Sequence, residues 1–309
     1  MNHEELNQMT TVQLQDFARE LKKQKNCYVI AHNYQDVAVQ QIADYVGDGL
    51  QMAQVAAETE AEKIFICGIK IMAETAKVLN PNRQVLMSHP TADCRLANME
   101  SPDALLRLKA AHPHAEVICY VNSPAALKAE STITCTSANA VEIVAAMPRS
   151  KPLIFVPDSN IGAWASYRND RPLIMFGSYC YVHHQISLEQ VLAVRRMHPD
   201  HSLLVHPECR LEVCKEADLV CSTSQMIDFV STHDKVIIGT EIGLYEQLKF
   251  HYPEKDLVPL SPAMSCEDMK KTTLRGAVEA LMDEAFPIIV PDDIMRKTQR
   301  SLNRMLSFL

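Results

Sequence analysis

The sequence predicts an α/β protein: three homologous three-layer α/β/α domains with parallel sheets, set around a pseudo-threefold axis. Three observations predict it. Cys94, Cys180 and Cys266 stand at equal intervals of 86 residues (94 to 180, 180 to 266). Each follows an apolar, strand-like run (QVLMSHPTADC, RPLIMFGSYC, DLVPLSPAMSC), and Ser101, Ser187 and Thr273 keep the same step while opening amphipathic stretches. A period this long marks a repeated domain rather than a short solenoid unit. Third, continuous apolar runs alternate with helical stretches, the pattern of open parallel sheets. Three copies about an axis would bring one thiol each to a shared centre, a three-thiolate metal site with no local Cys motif.

The expected divisions are 1–98, 99–184 and 185–270 for the three repeats, with 271–309 as a helical closure. Each repeat reads helix, strand, helix, strand, helix, strand, Cys. TTVQLQDFARELKKQ leads the first copy, and the stretches opening at Ser101 and Ser187 lead the others. First strands are CYVIAH, EVICYVN and SLLVHPE; second strands are KIFICG, PLIFVPD and KVIIGTE; third strands run towards the cysteines. These runs are apolar and rich in β-branched residues without alternation, which suits strands buried on both faces. Second helices start at matched places, introduced by Gly47, Cys135 and Cys221. After Thr273 a fourth leading helix begins, and PIIVPDDIMRKTQRSLNRML reads as a helical tail.

In such sheets ligands gather at the carboxyl ends of the strands. Chemistry-bearing residues concentrate there: His32, Asn33 and Tyr34, then Tyr120 and Asn122, then His206 and Glu208. Ser and Thr at helix starts cap free N–H groups at a positive dipole end, which suits a substrate with several carboxylates or phosphates. A buried cysteine is ordinarily an apolar filler, the reading for Cys27, Cys67 and Cys119 inside strands. Cys135 and Cys221 are read as space-fillers near the site. Cys209 and Cys214 lack zinc-pair spacing. His112, His114, His198 and His201 are read as solvated turn residues, and His184 as incidental.

Composition sets limits. Of 309 residues, 47% are hydrophobic and 22% charged, enough to bury real cores, and the net charge is −8 with no long basic run. Nucleic acid and anionic membranes are therefore not expected partners. The polar start MNHEELNQMTTVQLQ carries no secretion signal, so the ten cysteines read as reduced thiols in a cytoplasm, available for metal. No GxGxxG or GxxxxGK[ST] occurs, against a glycine-loop nucleotide fold.

Several segments together resemble the quinolinate synthase family over nearly the whole chain: AHNYQ, MAETAKVLNP, YVNSPAALKAES, CTSANAV, HPEC, STS, TEIG and MKKTTL, in order, with the three cysteines in place. The resemblance implies a triangular three-domain enzyme with a central [4Fe–4S] cluster. Cys94, Cys180 and Cys266 would bind three irons and leave one open as a Lewis acid. It implies condensation of iminoaspartate with dihydroxyacetone phosphate, with loss of phosphate and water, and a functional link to an aspartate-oxidising enzyme. Tyr34 and Glu208 would do acid–base work, and His32, His183 and His206 would bond substrate oxygens or move protons. Tyr120, Asn122, Ser137, Ser222 and Thr223 would hold carboxylate and phosphate groups. Departures from the pattern are Gly49, where a substrate-touching Ser hydroxyl is usual, together with Lys70, Ile71 and Ser159. Tyr181 after Cys180, and Glu267 and Asp268 after Cys266, depart too. Three rivals are a paralogue that condenses or dehydrates another carboxylic acid, a non-catalytic iron–sulfur sensor, and a metal-free scaffold.

Overall fold

A computed structural model describes residues 3–308. The chain forms three four-stranded sheets, every strand pair parallel. The first holds β1 (Cys27–His32), β2 (Tyr45–Gly47), β3 (Lys63–Cys67) and β4 (Gln84–Met87). The second holds β5 (Glu116–Tyr120), β6 (Ile133–Cys135), β7 (Leu153–Val156) and β8 (Ile174–Met175). The third holds β9 (Ser202–Val205), β10 (Leu219–Val220), β11 (Lys235–Gly239) and β12 (Asp256–Pro259). All three share one order, with the second strand at the edge, then first, third and fourth. The order reverses between the first and third strands, which opens a crevice at their carboxyl ends.

The sequence pattern counted three strands per copy, and the structure has four. The extra strands β2, β6 and β10 are two or three residues long, too short to carry a period of their own. Nor do the cysteines end strands. Each sits in a loop five to seven residues past the sheet's last strand (94 − 87, 180 − 175, 266 − 259).

Two compact units emerge. One comprises the chain up to Cys94 with Cys266–Pro291; the other comprises Arg95–Ser265 with the chain from Asp292 on. In the first unit the leading helix Thr11–Gln24 buries Leu14, Ala18 and Leu21 with Val29, Phe65 and Leu86 of the sheet and with Ala277, Val278 and Leu281 of the helix Leu274–Met282. Thr10 starts the leading helix with a reciprocal cap to Gln13. Residues 286–288 of the tail are not helical. They lie against β4, Met87 N–H to Phe286 O at 3.3 Å and Ile288 N–H to Val85 O at 2.8 Å, because β4 is an edge strand with backbone groups to satisfy.

In the second unit, helices opening at Ser101 and Ser187 are capped by those hydroxyls, each accepting a backbone N–H at 3.2 Å; Thr273 repeats the device in the first unit at 3.1 Å. The tail helix Asp292–Leu306 packs on β6 and the short helix Ala125–Ala129, where Thr298 and Ser301 hydroxyls donate to Ala125 O and Lys128 O. Gly239 is needed at the end of β11: a Cβ there would meet Leu204 O at 2.6 Å. His201 is not solvated as expected. Its side chain is 7% exposed, 3.1 Å from Asp256 Oδ2, since strand pairing sets Asp256 of β12 beside the start of β11 and hence near β9.

Candidate active site

Strand ends carry the expected polar residues, and the backbone treats the first and third copies alike. At the last residue of β1, His32 Nδ1 accepts the Tyr34 backbone N–H at 3.1 Å, and the two rings meet edge to face at 4.5 Å. After β9, His206 Nδ1 lies 3.3 Å from the Glu208 backbone nitrogen. After β5 the place is taken by Tyr120, whose hydroxyl accepts from Asn122 Nδ2 at 3.0 Å. His32, Tyr34, Tyr120, His206 and Glu208 are all buried.

Within the second unit four predicted residues converge. His183 Nδ1 is 3.2 Å from Cys180 Sγ and 2.9 Å from Glu208 Oε2. The His183 ring lies 4.7 Å from that of His206. Ligand atoms of Cys180, His183 and Glu208 all lie within 4.8 Å of one another, a set able to hold a metal ion. Burial works to raise the Glu208 carboxyl, but the charge of His206 and hydrogen bonds from His183 and His206 outweigh it and hold the group well below the usual carboxylate range. His206 Nδ1 is 3.3 Å from both Glu208 Oε2 and the Glu208 backbone nitrogen. Protonated, it donates to the carboxylate; deprotonated, it accepts the N–H. The imidazole has a partner in either state, which is what a proton carrier needs.

Two residues that strand-end reasoning passed over complete this cluster. Thr240, buried after β11, has its hydroxyl 2.9 Å from His183 Nε2 and so fixes the ring's orientation. Asp158, fully buried after β7, caps the helix Ser159–Asn169 and is pushed well above the usual range by burial and by the Glu208 charge. Both stand at the ends of second strands (PLIFVPD, KVIIGTE), whereas the sequence concentrates its His, Tyr and Glu at first-strand ends.

Other predicted residues do not join the cluster. Ser222 caps the helix Thr223–Thr232 and Thr223 is its first residue. Ser137 is no helix cap, contrary to expectation. The helix there begins at Ala140, and the Asn139 side chain folds back to accept the Thr136 N–H at 2.8 Å. Ser137 is left half-buried in the turn. Asn139 Nδ2 is buried without a partner. Gly49 is the first residue of the helix Gly49–Glu58, beside the Asp48 cap. Lys70 is exposed. Ser159 donates to Ser178 O at 2.9 Å. His184 Nδ1 lies 3.0 Å from Asn160 Nδ2, and its ring stacks on Tyr179 at 4.1 Å, which gives it a packing role.

The cysteines divide sharply. Seven of the ten are buried. Burial pushes the Cys27, Cys214 and Cys221 thiols up to about 12, and raises Cys67, Cys119, Cys135 and Cys209 as well. A metal ligand must be the thiolate, so these seven are kept as inert thiols. The three half-buried ones are Cys94, Cys180 and Cys266. No helix among the described residues is long and apolar enough to cross a membrane.

Comparison with known proteins agrees in detail. A family model described as Quinolinate synthetase A protein matches residues 17–307. Quinolinate synthase of Alkaliphilus metalliredigens is 42% identical over 301 residues, 96% of this chain and 99% of the relative. That of Methanoregula boonei is 42% identical over 96% and 99%, and that of Thermodesulfovibrio yellowstonii 41% identical over 94% and 96%. With a family model matching residues 17–307 and relatives matched over almost their whole length, the chain belongs to the quinolinate synthetase A family of enzymes.

Proposed function

We propose that this enzyme forms quinolinate from iminoaspartate and dihydroxyacetone phosphate, using a [4Fe–4S] cluster held by the thiolates of Cys94, Cys180 and Cys266. The observation that carries the reading is the partition of cysteines into seven buried thiols and three half-buried ones at equal spacing. When bound, such a cluster supplies an open iron that acts as a Lewis acid towards substrate oxygen or nitrogen.

The remaining work falls to side chains. Glu208, kept ionised by its imidazole neighbours, is a weak base whose charge orients and supports the imidazoles that take up a substrate proton. His206 and His183 pass it on, each already within hydrogen-bond reach of that carboxylate. Because His32 Nδ1 accepts a backbone N–H, a neutral His32 carries its proton on Nε2, a donor suited to a substrate oxygen. Tyr34 offers a phenolic proton beside it. Anion binding fits Ser222 and Thr223 at a helix start, the Tyr120–Asn122 pair at a strand end, and the Ser137 hydroxyl in the turn before the helix Ala140–Ala146. Three repeated domains, an aspartate-oxidising supplier of the imine and a cytoplasmic setting belong to the same proposal.

Gly49 supports a second reading, a paralogue with another carboxylic substrate, because a glycine cannot supply the hydroxyl usual there. Ser159 supports it less, since its hydroxyl is already bonded to Ser178 O. The test is quinolinate formation by anaerobically reconstituted protein given both substrates, normalised to bound iron. Turnover is expected. A fully loaded protein that makes no quinolinate overturns the substrate assignment, and a protein that takes up no iron or sulfide overturns the cluster.

A further inference from the structure

One hydrogen bond recurs at all three cysteine loops. The first residue of the helix that follows each sheet's third strand donates its backbone N–H to the carbonyl two residues before the cysteine. Lys70 N–H meets Ala92 O at 2.9 Å, Ser159 N–H meets Ser178 O at 2.8 Å, and Ile242 N–H meets Met264 O at 2.7 Å. Ala92, Ser178 and Met264 are all buried. Each cysteine loop is thus pinned at one backbone point by its own sheet's third helix.

The Cys180 loop is pinned further. Asp158 Oδ1 accepts the N–H groups of Asn160 and Ile161, both at 2.8 Å, while its Oδ2 accepts the Cys180 N–H at 3.3 Å. Ser159 adds its hydroxyl to the same Ser178 carbonyl at 2.9 Å. One residue on, Asn160 Nδ2 donates to Glu208 O at 2.9 Å. A single helix start therefore holds the backbones of both Cys180 and Glu208. Asp158 is 0% exposed, so it reaches neither solvent nor ligand directly.

We propose that Asp158 is a positioning residue that fixes Cys180 for metal binding and keeps it in register with Glu208. The proposal rests on reading Cys180 as a cluster ligand. Carboxylates that orient a ligand from behind are worth about 10–100-fold in metal affinity. Asp158→Asn isolates the effect. Asn caps a helix as well as Asp and keeps the two bonds at Oδ1, but an amide nitrogen cannot accept the Cys180 N–H.

The experiment compares wild type, Asp158→Asn and Ser159→Ala, reconstituted anaerobically under one protocol. Bound iron and sulfide, the electron paramagnetic resonance spectrum of the reduced protein and the rate of iron release to a chelator are read. Apoprotein melting temperatures are read alongside. Asp158→Asn is expected to melt as wild type does, to release iron about tenfold faster and to show an altered spectrum. Ser159→Ala should release iron faster by a smaller factor. Release at the wild-type rate with an unchanged spectrum in Asp158→Asn overturns the proposal. Should that variant not fold, an unchanged rate in Ser159→Ala overturns it instead. A wild type that binds no iron or sulfide refutes the ligand reading itself, an outcome distinct from a loaded wild type matched by its variant.

Discussion

The ends of β1 and β9 make an instructive pair. Both end beside a histidine whose Nδ1 faces the backbone nitrogen two residues on, at 3.1 Å in the first unit and 3.3 Å in the second. That second residue is Tyr34 in one and Glu208 in the other. The fold repeats the backbone device and varies the side chain it presents. Tyr34 has an aromatic hydroxyl beside an imidazole edge, whereas Glu208 is an anion between two imidazoles. The repeat thus supplies a common frame, and single substitutions within it place different side-chain chemistry at equivalent positions.

The severest way to break the comparison is to remove the proposed cluster ligands. Cys94→Ser, Cys180→Ser and Cys266→Ser should each lose the cluster absorption and all turnover, while Cys119→Ser, buried in β5, should keep both; iron and sulfide assays decide. Next come the two strand-end groups. Tyr34→Phe and Glu208→Gln should each retain iron and lower kcat by about 10²–10⁴-fold, measured as quinolinate formed per loaded protein. If only one of them falls, the two copies are not parallel in role.

A smaller contrast concerns glycines near the ends of β3 and β11. Gly239→Ala forces a Cβ to within 2.6 Å of a backbone oxygen, whereas Gly68→Ala meets the Met72 thioether at 3.1 Å. A side chain can yield and a buried strand cannot. Gly239→Ala should cost about 1–3 kcal/mol and Gly68→Ala clearly less, by urea unfolding.

The smallest effect lies in the tail. Glu284 in the first unit is held below its usual range by hydrogen bonds from Lys63 and Lys25. In the second unit Lys109, aided by Lys297 of the tail helix, lowers Glu130 against its burial. A carboxylate lowered on folding contributes stability above its unfolded value, near 4.5, and loses it as pH falls through the folded value. Glu284→Gln should therefore cost ~1 kcal/mol or less at pH 7, and the gap to wild type should close under acid. A gap that persists in strong acid would assign the effect to packing instead.

Legibility in the sequence tracked the range of the interaction. The first and second strands of each copy were readable because apolar runs of four to six residues are a local signal. The edge strands β2, β6 and β10 were not, being two or three residues long and stabilised by a neighbour rather than by their own pattern. His183 entered through the family resemblance alone, since no period marks it. Thr240 and Asp158 were missed because each matters only through a contact with a residue more than twenty positions away.

By itself the sequence determined the α/β class, the threefold repetition, the three matched cysteines and the strand-end histidines. These follow from periodicity and equal spacing, which the chain carries in one dimension. Tertiary structure alone decided which cysteines stay half-exposed, that Cys180, His183, His206 and Glu208 converge, and that Ser159 binds a loop carbonyl. Burial and proximity arise only when parallel strands set distant chain segments side by side, and no local pattern encodes them.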